Sequence, residues 1–461
     1  MYLTVLTKSE KLVFKANSYV EPFYKKKLNH QDIYEDRALA ASTMLMVTDG
    51  IGGSHFPAGP IANAILYGIF TITNKHIKKN LTSEHIKEGI NSGIDHYIKI
   101  YKKLIKKKQI NIKPENLLAA TTLAGVALRK KEKLDSYNFK VFQVGDSRTM
   151  IFYPLNNQGK IVYIARCMTD ERQYSFNFPH QIESRIKPDN TKNLYFELFT
   201  AHKHDIVLVG SDGLFDNLPQ SLINIFLNIF LFGFENQKAK MTPDFDTLID
   251  KLLMDWSNFQ KENKLIAFTD QYTTPPSGIR KRPTIVFSPN AIVIKNKEKI
   301  RMWLETWLFK TKKGTATNFF SLTGCTLADY FEKEDQNVFS SCIMALLNVI
   351  HIKNYPGKDI DTEKLSQLFP KIVKKMEKNN DYKVSYLIPF NLIKLAKTNT
   401  LDLKIKKDDI GVAIGYVTSV AKDTFKPKPV IKSLNKEIIE ELKKYGKIEI
   451  VSKTKKKKLI V

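Results

Sequence analysis

Apolar residues follow two different periods along the chain, one typical of buried strands and one typical of amphipathic helices. The strand-like runs are short, rich in β-branched residues and bounded by Asp or Gly. Five runs of this kind predict strands at 43–48, 121–128, 139–144, 206–210 and 410–417.

Two helices are predicted between the first and the second of these strands, at 60–79 and 82–108. In the second helix, isoleucine and tyrosine recur at steps of three and four residues from Ile86 to Ile105, and lysines occupy the opposite face. Because strands come in runs and helices in pairs, the order favours α+β layers over a regular βαβ alternation.

The character of the chain changes at residue 234, where a polar, turn-rich stretch precedes two predicted helices near 296–312 and 338–352. We interpret this region as an insertion into one large domain. The predicted division is an N-terminal extension at 1–29, the first part of the domain at 30–233, the insertion at 234–365, the last part of the domain at 366–420 and a basic C-terminal extension at 421–461.

Charge and cysteine content narrow the classes of partner and site. The 461 residues include 73 Lys and Arg against 47 Asp and Glu, a formal net charge of +26, which favours an anionic partner: RNA or another nucleic acid, an anionic membrane surface or an acidic protein. Cys167, Cys325 and Cys342 lack metal-binding spacing, so neither a disulfide framework nor a zinc thiolate site is expected. No apolar run has the length of a membrane span, so none is predicted.

Carboxylates stand at the ends of the predicted strands. Such residues can converge at one edge of a packed sheet, and an all-oxygen cluster suits Mg²⁺ or Mn²⁺. Two ions that share a carboxylate can activate water and hold a phosphoryl group. Taken singly, each Asp-Gly pair is ordinary turn chemistry, so the prediction depends on the set as a whole. The set is Asp49, Asp146 and Asp212 after strands, Asp408 before a strand, and Glu35 with Asp36 before the first strand.

Seven short motifs in a fixed order resemble those of the metal-dependent protein serine/threonine phosphatases of type 2C (the PPM family), in particular the stand-alone branch of mitochondria and plastids. The resemblance covers residues 30–230 and 365–420. The motifs are ED at 35–36, DGIGG at 49–53, TT at 121–122, GDS at 145–147, QYSFNFPHQ at 173–181, SDGLFDN at 211–217 and DDI at 408–410.

This resemblance implies an α-β-β-α sandwich, in which two antiparallel sheets are flanked by helices, with a helical insertion. It also implies two Mg²⁺ or Mn²⁺ ions and an in-line attack of activated water on phosphorus, in which Asp49 and Asp212 act through the metal-bound water. The implied metal-site residues are Glu35, Asp36, Asp49, Gly50, Asp146, Asp212 and Asp408.

Within this set, the resemblance implies that Asp49 bridges the two ions and that Gly50 offers its carbonyl oxygen to one of them. Asp36 would hold a metal-bound water, and Asp146 with Asp212 would hold a third, looser ion. The second ion would have as ligands Glu35, Asp212 and Asp408.

The chain also departs from the family pattern at positions that handle the substrate. Gln31 stands where many relatives have a phosphate-binding Arg, and Ile51 stands where many have a His that can protonate the leaving group. Gly411 replaces the usual hydroxyl residue after the last motif. The ligand set is therefore complete, whereas the groups that bind the phosphate are few.

The leading hypothesis is a Mg²⁺- or Mn²⁺-dependent phosphatase that acts on phosphoserine and phosphothreonine in proteins. The alternative is a degenerate phosphatase-like subunit of a large assembly, such as a mitochondrial ribosome or another RNA-protein complex, which the charge and the missing groups favour. A two-metal nucleic-acid enzyme is a distant third because no nuclease motif is present. The resemblance implies a mitochondrial location, with the cytoplasm as the alternative.

Overall fold

All five apolar runs predicted as strands coincide with strands of the computed structural model, apart from Thr43 and Thr122, and the strand residues of each run are buried on both faces. In the run at 44–48, Met44 and Met46 belong to the apolar cluster that contains the helices, whereas Leu45 and Val47 belong to the cluster between the two sheets. Side chains of a strand alternate between its faces, so a strand covered on both sides is apolar throughout.

The described residues form two sheets with the helices that cover them. The strands, numbered in chain order, are β1 (Glu10–Glu21), β2 (Lys26–Leu28), β3 (Gln31–Ile33), β4 (Arg37–Ala41), β5 (Met44–Thr48), β6 (Ala120–Thr121), β7 (Leu123–Lys130), β8 (Tyr137–Val144), β9 (Arg148–Asn157), β10 (Lys160–Met168), β11 (Gln173–Ser175), β12 (Phe178–Pro179), β13 (Ile182–Glu183), β14 (Tyr195–Ala201), β15 (Ile206–Gly210), β16 (Phe268–Thr269), β17 (Val286–Phe287) and β18 (Ile410–Ala421). The helices are α1 (Gly59–Lys75), α2 (Ser83–Lys106), α3 (Asp212–Phe215), α4 (Ile388–Leu403) and α5 (Lys428–Gly446).

Short connections next to these elements are also described. In full, the described residues are 10–22, 26–28, 31–51, 57–76, 80–111, 119–130, 136–157, 160–175, 178–184, 191–218, 223, 226–227, 268–269, 286–287, 388–403, 408–421 and 428–446.

Two five-stranded antiparallel sheets pack face to face. One has the strand order β1-β18-β15-β9-β10 and the other the order β14-β8-β7-β5-β4. The core between them takes apolar side chains from both sheets, including Phe14, Val126 and Val209. Shorter antiparallel pairs join β11 with β12, β13 with β6, β16 with β17 and β2 with β3.

Helices cover the outer faces of both sheets. The hairpin of α1 and α2 lies over the second sheet, and α4 contacts β1 and β18 of the first. The predicted α-β-β-α sandwich is therefore confirmed. The helices predicted at 60–79 and 82–108 are confirmed with shorter ends, because α1 stops at Lys75 and α2 at Lys106. None of the described helices is long and apolar enough to cross a membrane.

Parts of both predicted extensions pack onto this sandwich. β1, which lies within 1–29, pairs with β18 from Glu10 opposite Ala421 to Glu21 opposite Ile410. α5, which lies within 421–461, packs on α1 and buries leucine and isoleucine at four-residue steps. Both segments are apolar on one face and so belong to the core. The five-part division otherwise stays a prediction, since the helices predicted at 296–312 and 338–352 lie outside the described residues.

Candidate metal centre

The strand register brings the ends that carry the predicted carboxylates to one edge of the two sheets. Arg37, which starts β4, is opposite Thr48, which ends β5. Gly210, which ends β15, is opposite Arg148 of β9 on one side and Val412 of β18 on the other. The acidic residues that flank these positions in sequence therefore meet at the same edge.

Three of the predicted carboxylates form a tight buried cluster. One ligand oxygen from each of Asp49, Asp146 and Asp212 lies within 4.8 Å of the others. Their exposed fractions are only 7%, 4% and 6%. Three carboxylates packed this closely out of water repel each other strongly unless a cation or a proton lies between them.

The threonine pair at 121–122 holds the main chain of Asp49. The N–H of Thr122 and the hydroxyl of Thr121 both donate to the carbonyl oxygen of Asp49, each at 2.8 Å. The N–H of Ile51 donates to the carbonyl of Ala120 at 2.9 Å. The turn after β5 is thus fixed to β6 and to Thr122, which follows it, and this explains why the TT motif accompanies the DG motif.

Asp146 lies in a turn whose geometry requires glycine. Gly145 has a φ of +98°, a conformation that side chains with a Cβ rarely adopt. Its carbonyl oxygen accepts hydrogen bonds from Nε2 of Gln143 at 2.8 Å and from the N–H of Arg172 at 3.0 Å. The turn between β8 and β9 is therefore rigid, and it presents Asp146 to the cluster.

The SDG and DDI motifs are docked against each other. The N–H of Ser211 donates to the carbonyl of Gly411 at 3.0 Å, and the N–H of Gly411 donates to Oγ of Ser211 at 2.9 Å. A Cβ on Gly213 would lie 2.0 Å from the carbonyl oxygen of Asp409, so only glycine permits this approach. Asp212 begins α3 at this junction.

Glu35 is held beside the turn that carries Asp49. Its N–H donates to Oδ2 of Asp409 at 3.0 Å, and its Oε1 accepts from the N–H of Ala58 at 3.4 Å. A Cβ built on Gly50 would lie 2.7 Å from the Cβ of Glu35. The ED and DG motifs are thus in direct contact.

The electrostatics of the site are those of several like charges sharing one buried space. Burial raises the pKa of Asp49 well above its usual value, and the charges of neighbouring carboxylates raise it further. In order of effect, those neighbours are Asp212, Asp36, Asp408 and Asp146.

Asp36 shares this environment from the other side. Burial raises the pKa of Asp36 most, followed by the charges of Asp409 and Asp408, while side-chain hydrogen bonds with Asp49 and, to a smaller extent, with Ser211 oppose the shift. Among the described residues, none donates a hydrogen bond to the buried Oδ2 of Asp36.

The donor set fits a hard divalent cation. Every candidate ligand is a carboxylate or carbonyl oxygen, which Mg²⁺ and Mn²⁺ prefer. The nearby Arg148 offsets only part of the charge because its guanidinium forms an ion pair with Glu171 and lies 5.4 Å from the ring of Phe215. A divalent cation would relieve the repulsion that raises the carboxylate pKa values.

Not every predicted ligand lies in the tight cluster. Asp408 is not one of its three members, although its charge reaches both Asp36 and Asp49. The sequence prediction gave no role to Asp409, which is 2% exposed and binds the main chain of Glu35. The doublet at 408–409 was the available signal for it.

Comparison with known proteins gives a short sequence match. No family model matches the chain. Over 67 residues the chain is 34% identical to the protein phosphatase PTC7 homolog fig of Drosophila sechellia, and the match to that of Drosophila melanogaster has the same identity and length. The match covers 13% of this chain and 21% of each relative, so the chain spans about a fifth of the length of the curated relatives it matches. The chain is thus similar to protein phosphatases, as its motifs predict.

Several solved phosphatase structures also show likeness to this chain. The serine/threonine phosphatase PstP/Ppp of Mycobacterium tuberculosis has a TM-score of 0.33 at 15% identity, over 47% of this chain and 86% of that one. A catalytic domain of PstP in complex with two manganese ions has a TM-score of 0.32 at 14% identity, over 47% and 85%. At such scores the fold assignment rests on the two sheets described above.

Proposed function

We propose that this chain is a PPM-type protein phosphatase that hydrolyses phosphoserine and phosphothreonine with the help of Mg²⁺ or Mn²⁺. The observation that carries the proposal is the buried cluster of Asp49, Asp146 and Asp212, whose oxygens lie within 4.8 Å of one another. The seven ordered motifs and the similarity to the PTC7 homologues support it. The stand-alone mitochondrial branch, and with it a mitochondrial location, belongs to the same proposal.

The proposed roles follow the chemistry of the donors. Two divalent cations, when bound, supply Lewis acids that lower the pKa of water and neutralise charge on a phosphoryl group. Asp49 would be a ligand of both cations and Asp212 of the second, while Asp146 together with Asp212 would hold a third, looser one. Asp36 would accept a hydrogen bond from a water molecule bound to a cation and so hold that water in place. The remaining proposed ligands are Glu35, Gly50 and Asp408.

The rigid backbone of the site supports this use. Hydrogen bonds from two threonines fix Asp49, and the docked SDG and DDI motifs fix Asp212. Fixed donors need not reorganise when charge develops in the transition state, and burial strengthens their field. The cost of this arrangement is the repulsion among the metal-free carboxylates.

The described part of this edge offers few cationic groups that could bind a phosphate. Arg37 and Arg148 both start strands at this edge, but Arg37 is paired with Glu441 and Arg148 with Glu171. Neither guanidinium therefore replaces the phosphate-binding Arg that many relatives of the family have at the position of Gln31. We expect most of the affinity for the phosphoryl group to come from the cations themselves.

Hydrolysis of a phosphothreonine peptide, followed by release of phosphate, tests the proposal. We expect turnover that requires Mn²⁺ or Mg²⁺ and that falls at least about 100-fold in Asp212→Asn. Asp95→Asn is the matched control because Asp95 is exposed on α2. Turnover that persists in Asp212→Asn, or that needs no divalent cation, would contradict the proposed mechanism.

The degenerate-subunit alternative gives a different outcome in the same assay. A retained structural domain can bind a cation without turnover, so Mn²⁺ binding by calorimetry with no phosphate release from any of several phosphopeptides would favour it. A wild-type protein that shows neither Mn²⁺ binding nor turnover would contradict the proposed metal site as well.

A second candidate function, binding of a polyanion such as RNA, has one observation in its favour. The end of α2 and the turn after it expose a cluster of lysines within ten residues. Such a lysine cluster can neutralise the phosphates of a polyanion and release the counterions bound to them. The cluster consists of Lys99, Lys102, Lys103, Lys106, Lys107 and Lys108.

A further inference from the structure

Arg37 is tied to the main chain of the ED motif that precedes it. Its Nη1 atom donates to the carbonyl oxygen of Tyr34 at 2.9 Å and to the carbonyl oxygen of Asp36 at 2.5 Å. The guanidinium thus closes a loop around Glu35 and Asp36. A change in its position would move the backbone of both candidate ligands.

The other side of the same guanidinium is bound by a residue far away in sequence. Nε of Arg37 donates to Oε1 of Glu441 at 3.1 Å, and Nη2 donates to the same oxygen. Nδ2 of Asn63 in α1 also approaches this oxygen, at 3.4 Å. Glu441 therefore joins α5 and α1 to Arg37, the first residue of β4, which directly follows the ED motif.

This contact is largely buried and closely packed. The side chains of Arg37 and Glu441 are 12% and 18% exposed. A Cβ on Gly59 would lie 2.4 Å from Nη2 of Arg37, so the guanidinium is pressed against the start of α1. Such a pair holds its geometry much better than an exposed ion pair does.

α5 is held in place independently of this ion pair. Its apolar residues Leu434, Ile438 and Leu442 are buried in the cluster formed with α1 and α2. Because Leu442 follows Glu441 directly, packing of that face delivers the carboxylate to Arg37. Packing of the helix and geometry of the ED motif are therefore coupled.

We propose that α5 is a working part of the candidate metal centre, in which Glu441 positions Glu35 and Asp36 through Arg37. Glu441 is a positioning residue, since it contacts no candidate ligand directly. The inference rests on the proposed function only in taking Glu35 and Asp36 as groups that bind cations or their water.

The test compares Mn²⁺ affinity, measured by calorimetry on the full chain, with thermal stability of the metal-free protein. Glu441→Ala should weaken Mn²⁺ binding by about 10- to 100-fold, as loss of a partner that orients a ligand does. Glu441→Gln keeps an acceptor oxygen for Arg37 and should recover part of the affinity. Glu440→Ala is the matched control because Glu440 is exposed and pairs only with Lys436 at 3.6 Å among the contacts described for it.

The outcomes separate this inference from the proposed function. If folded Glu441→Ala binds Mn²⁺ as tightly as wild type, the positioning role is wrong, even if its melting temperature falls. If Glu441→Ala does not fold, Glu441→Gln is compared with Arg37→Lys. The inference is overturned if both of these variants bind Mn²⁺ as tightly as the wild type does. Wild-type protein that binds Mn²⁺ without hydrolysing phosphopeptides refutes the phosphatase proposal alone. Wild-type protein that binds no Mn²⁺ refutes both.

Discussion

Two neighbouring aspartates in the DDI motif illustrate how the site works at the scale of single residues. Asp408 and Asp409 both place negative charge beside Asp36, and Asp409 in addition accepts a hydrogen bond from the main-chain N–H of Glu35. The second role needs an acceptor oxygen and not a negative charge. The two functions can therefore be separated by substitution.

Asp409→Asn should keep the fold, since the amide oxygen can accept the same hydrogen bond and one repelling charge is removed. Asp409→Ala should leave the buried N–H of Glu35 unpaired and be less stable than Asp409→Asn by about 1–3 kcal/mol. Urea denaturation of the metal-free proteins measures both. An alanine variant as stable as the asparagine variant would show that this hydrogen bond does not matter.

Asp212→Asn should have opposite effects on stability with and without metal. In the metal-free protein it removes the charge that raises the pKa of Asp49 most among the neighbouring carboxylates, so the free energy of unfolding should rise by about 1–3 kcal/mol. With saturating Mn²⁺ the wild type should gain stability that the variant lacks. In thermal melts, the variant should therefore have the higher melting temperature with chelator, and the wild type should have the higher one with Mn²⁺. The same order in both conditions would contradict a shared cation.

Among the helices and strands, the sequence predicted those elements that other parts of the protein cover along their whole length, because such elements have a continuous apolar pattern. The strand β15 is apolar at all five positions, and the helix α2 repeats at helical spacing. β14 was missed because it lies at a sheet edge and Glu197 and Leu198 are exposed. β1 was missed because its pairing with β18 cannot be read from a local pattern.

The residues of the site, like the helices and strands, were predictable only where the local sequence signals them. Asp49, Asp146 and Asp212 were predictable as a cluster because each stands at the end of a recognisable strand. The contact between Arg37 and Glu441 joins positions 404 apart, and nothing in either local sequence signals it. Long-range pairs of this kind require the structure.

The α1 and α2 hairpin gives a prediction about helix packing. A Cβ on Gly93 would lie 2.4 Å from the carbonyl oxygen of Ala64, so Gly93→Ala should push the helices apart. We expect a loss of about 1–3 kcal/mol, although alanine favours a helix by about 1 kcal/mol over glycine. The exposed Asn91→Ala on the same helix serves as control and should be neutral or stabilising. Urea denaturation decides, and a more stable Gly93→Ala would contradict the close packing.

His96 should make the stability of the helical layer depend on pH. Its ring stacks on Tyr67 of α1 at a centroid distance of 4.2 Å and contacts Oδ1 of Asn435 of α5 at 2.8 Å. Burial lowers the pKa of His96 below the usual 6.5, with Asn435 opposing the shift. The unfolded chain therefore takes up the proton first, so stability present above pH 6.5 is lost as the pH falls.

Denaturation of wild type and His96→Gln at pH 7.5 and pH 5.5 isolates this contribution. The carboxylates of the site titrate in both proteins, so only the difference between them reports on the histidine. We expect a larger loss on acidification in wild type than in His96→Gln. Equal losses would show that the ring is protonated as readily in the folded protein as in the unfolded chain.

For the molecule as a whole, the net charge of +26 is the property that catalysis does not explain. Self-repulsion destabilises a compact chain, and a positive surface adsorbs polyanions. The lysine cluster at the end of α2 lies on helix turns away from the buried faces. The lysines at 453–458 lie outside the described residues.

Titration with a single-stranded RNA and a duplex RNA at two salt concentrations tests the polyanion proposal. Affinity should fall with salt by a slope of roughly −0.7 to −0.9 per neutralised phosphate on logarithmic axes. Removal of 453–461, or replacement of the α2 lysine cluster by glutamine, should reduce that slope and leave Mn²⁺ affinity unchanged. Binding that is absent or indifferent to salt would leave an ordinary solvated basic surface.

The proposed function depends on the three buried aspartates forming one site for divalent cations. Anomalous diffraction from crystals grown with Mn²⁺ tests it most directly. We expect a peak at about 2.1 Å from carboxylate oxygens of both Asp49 and Asp212, a separation typical of small divalent cations. Crystals that diffract well and contain Mn²⁺ elsewhere, but show no peak among these oxygens, would contradict the account.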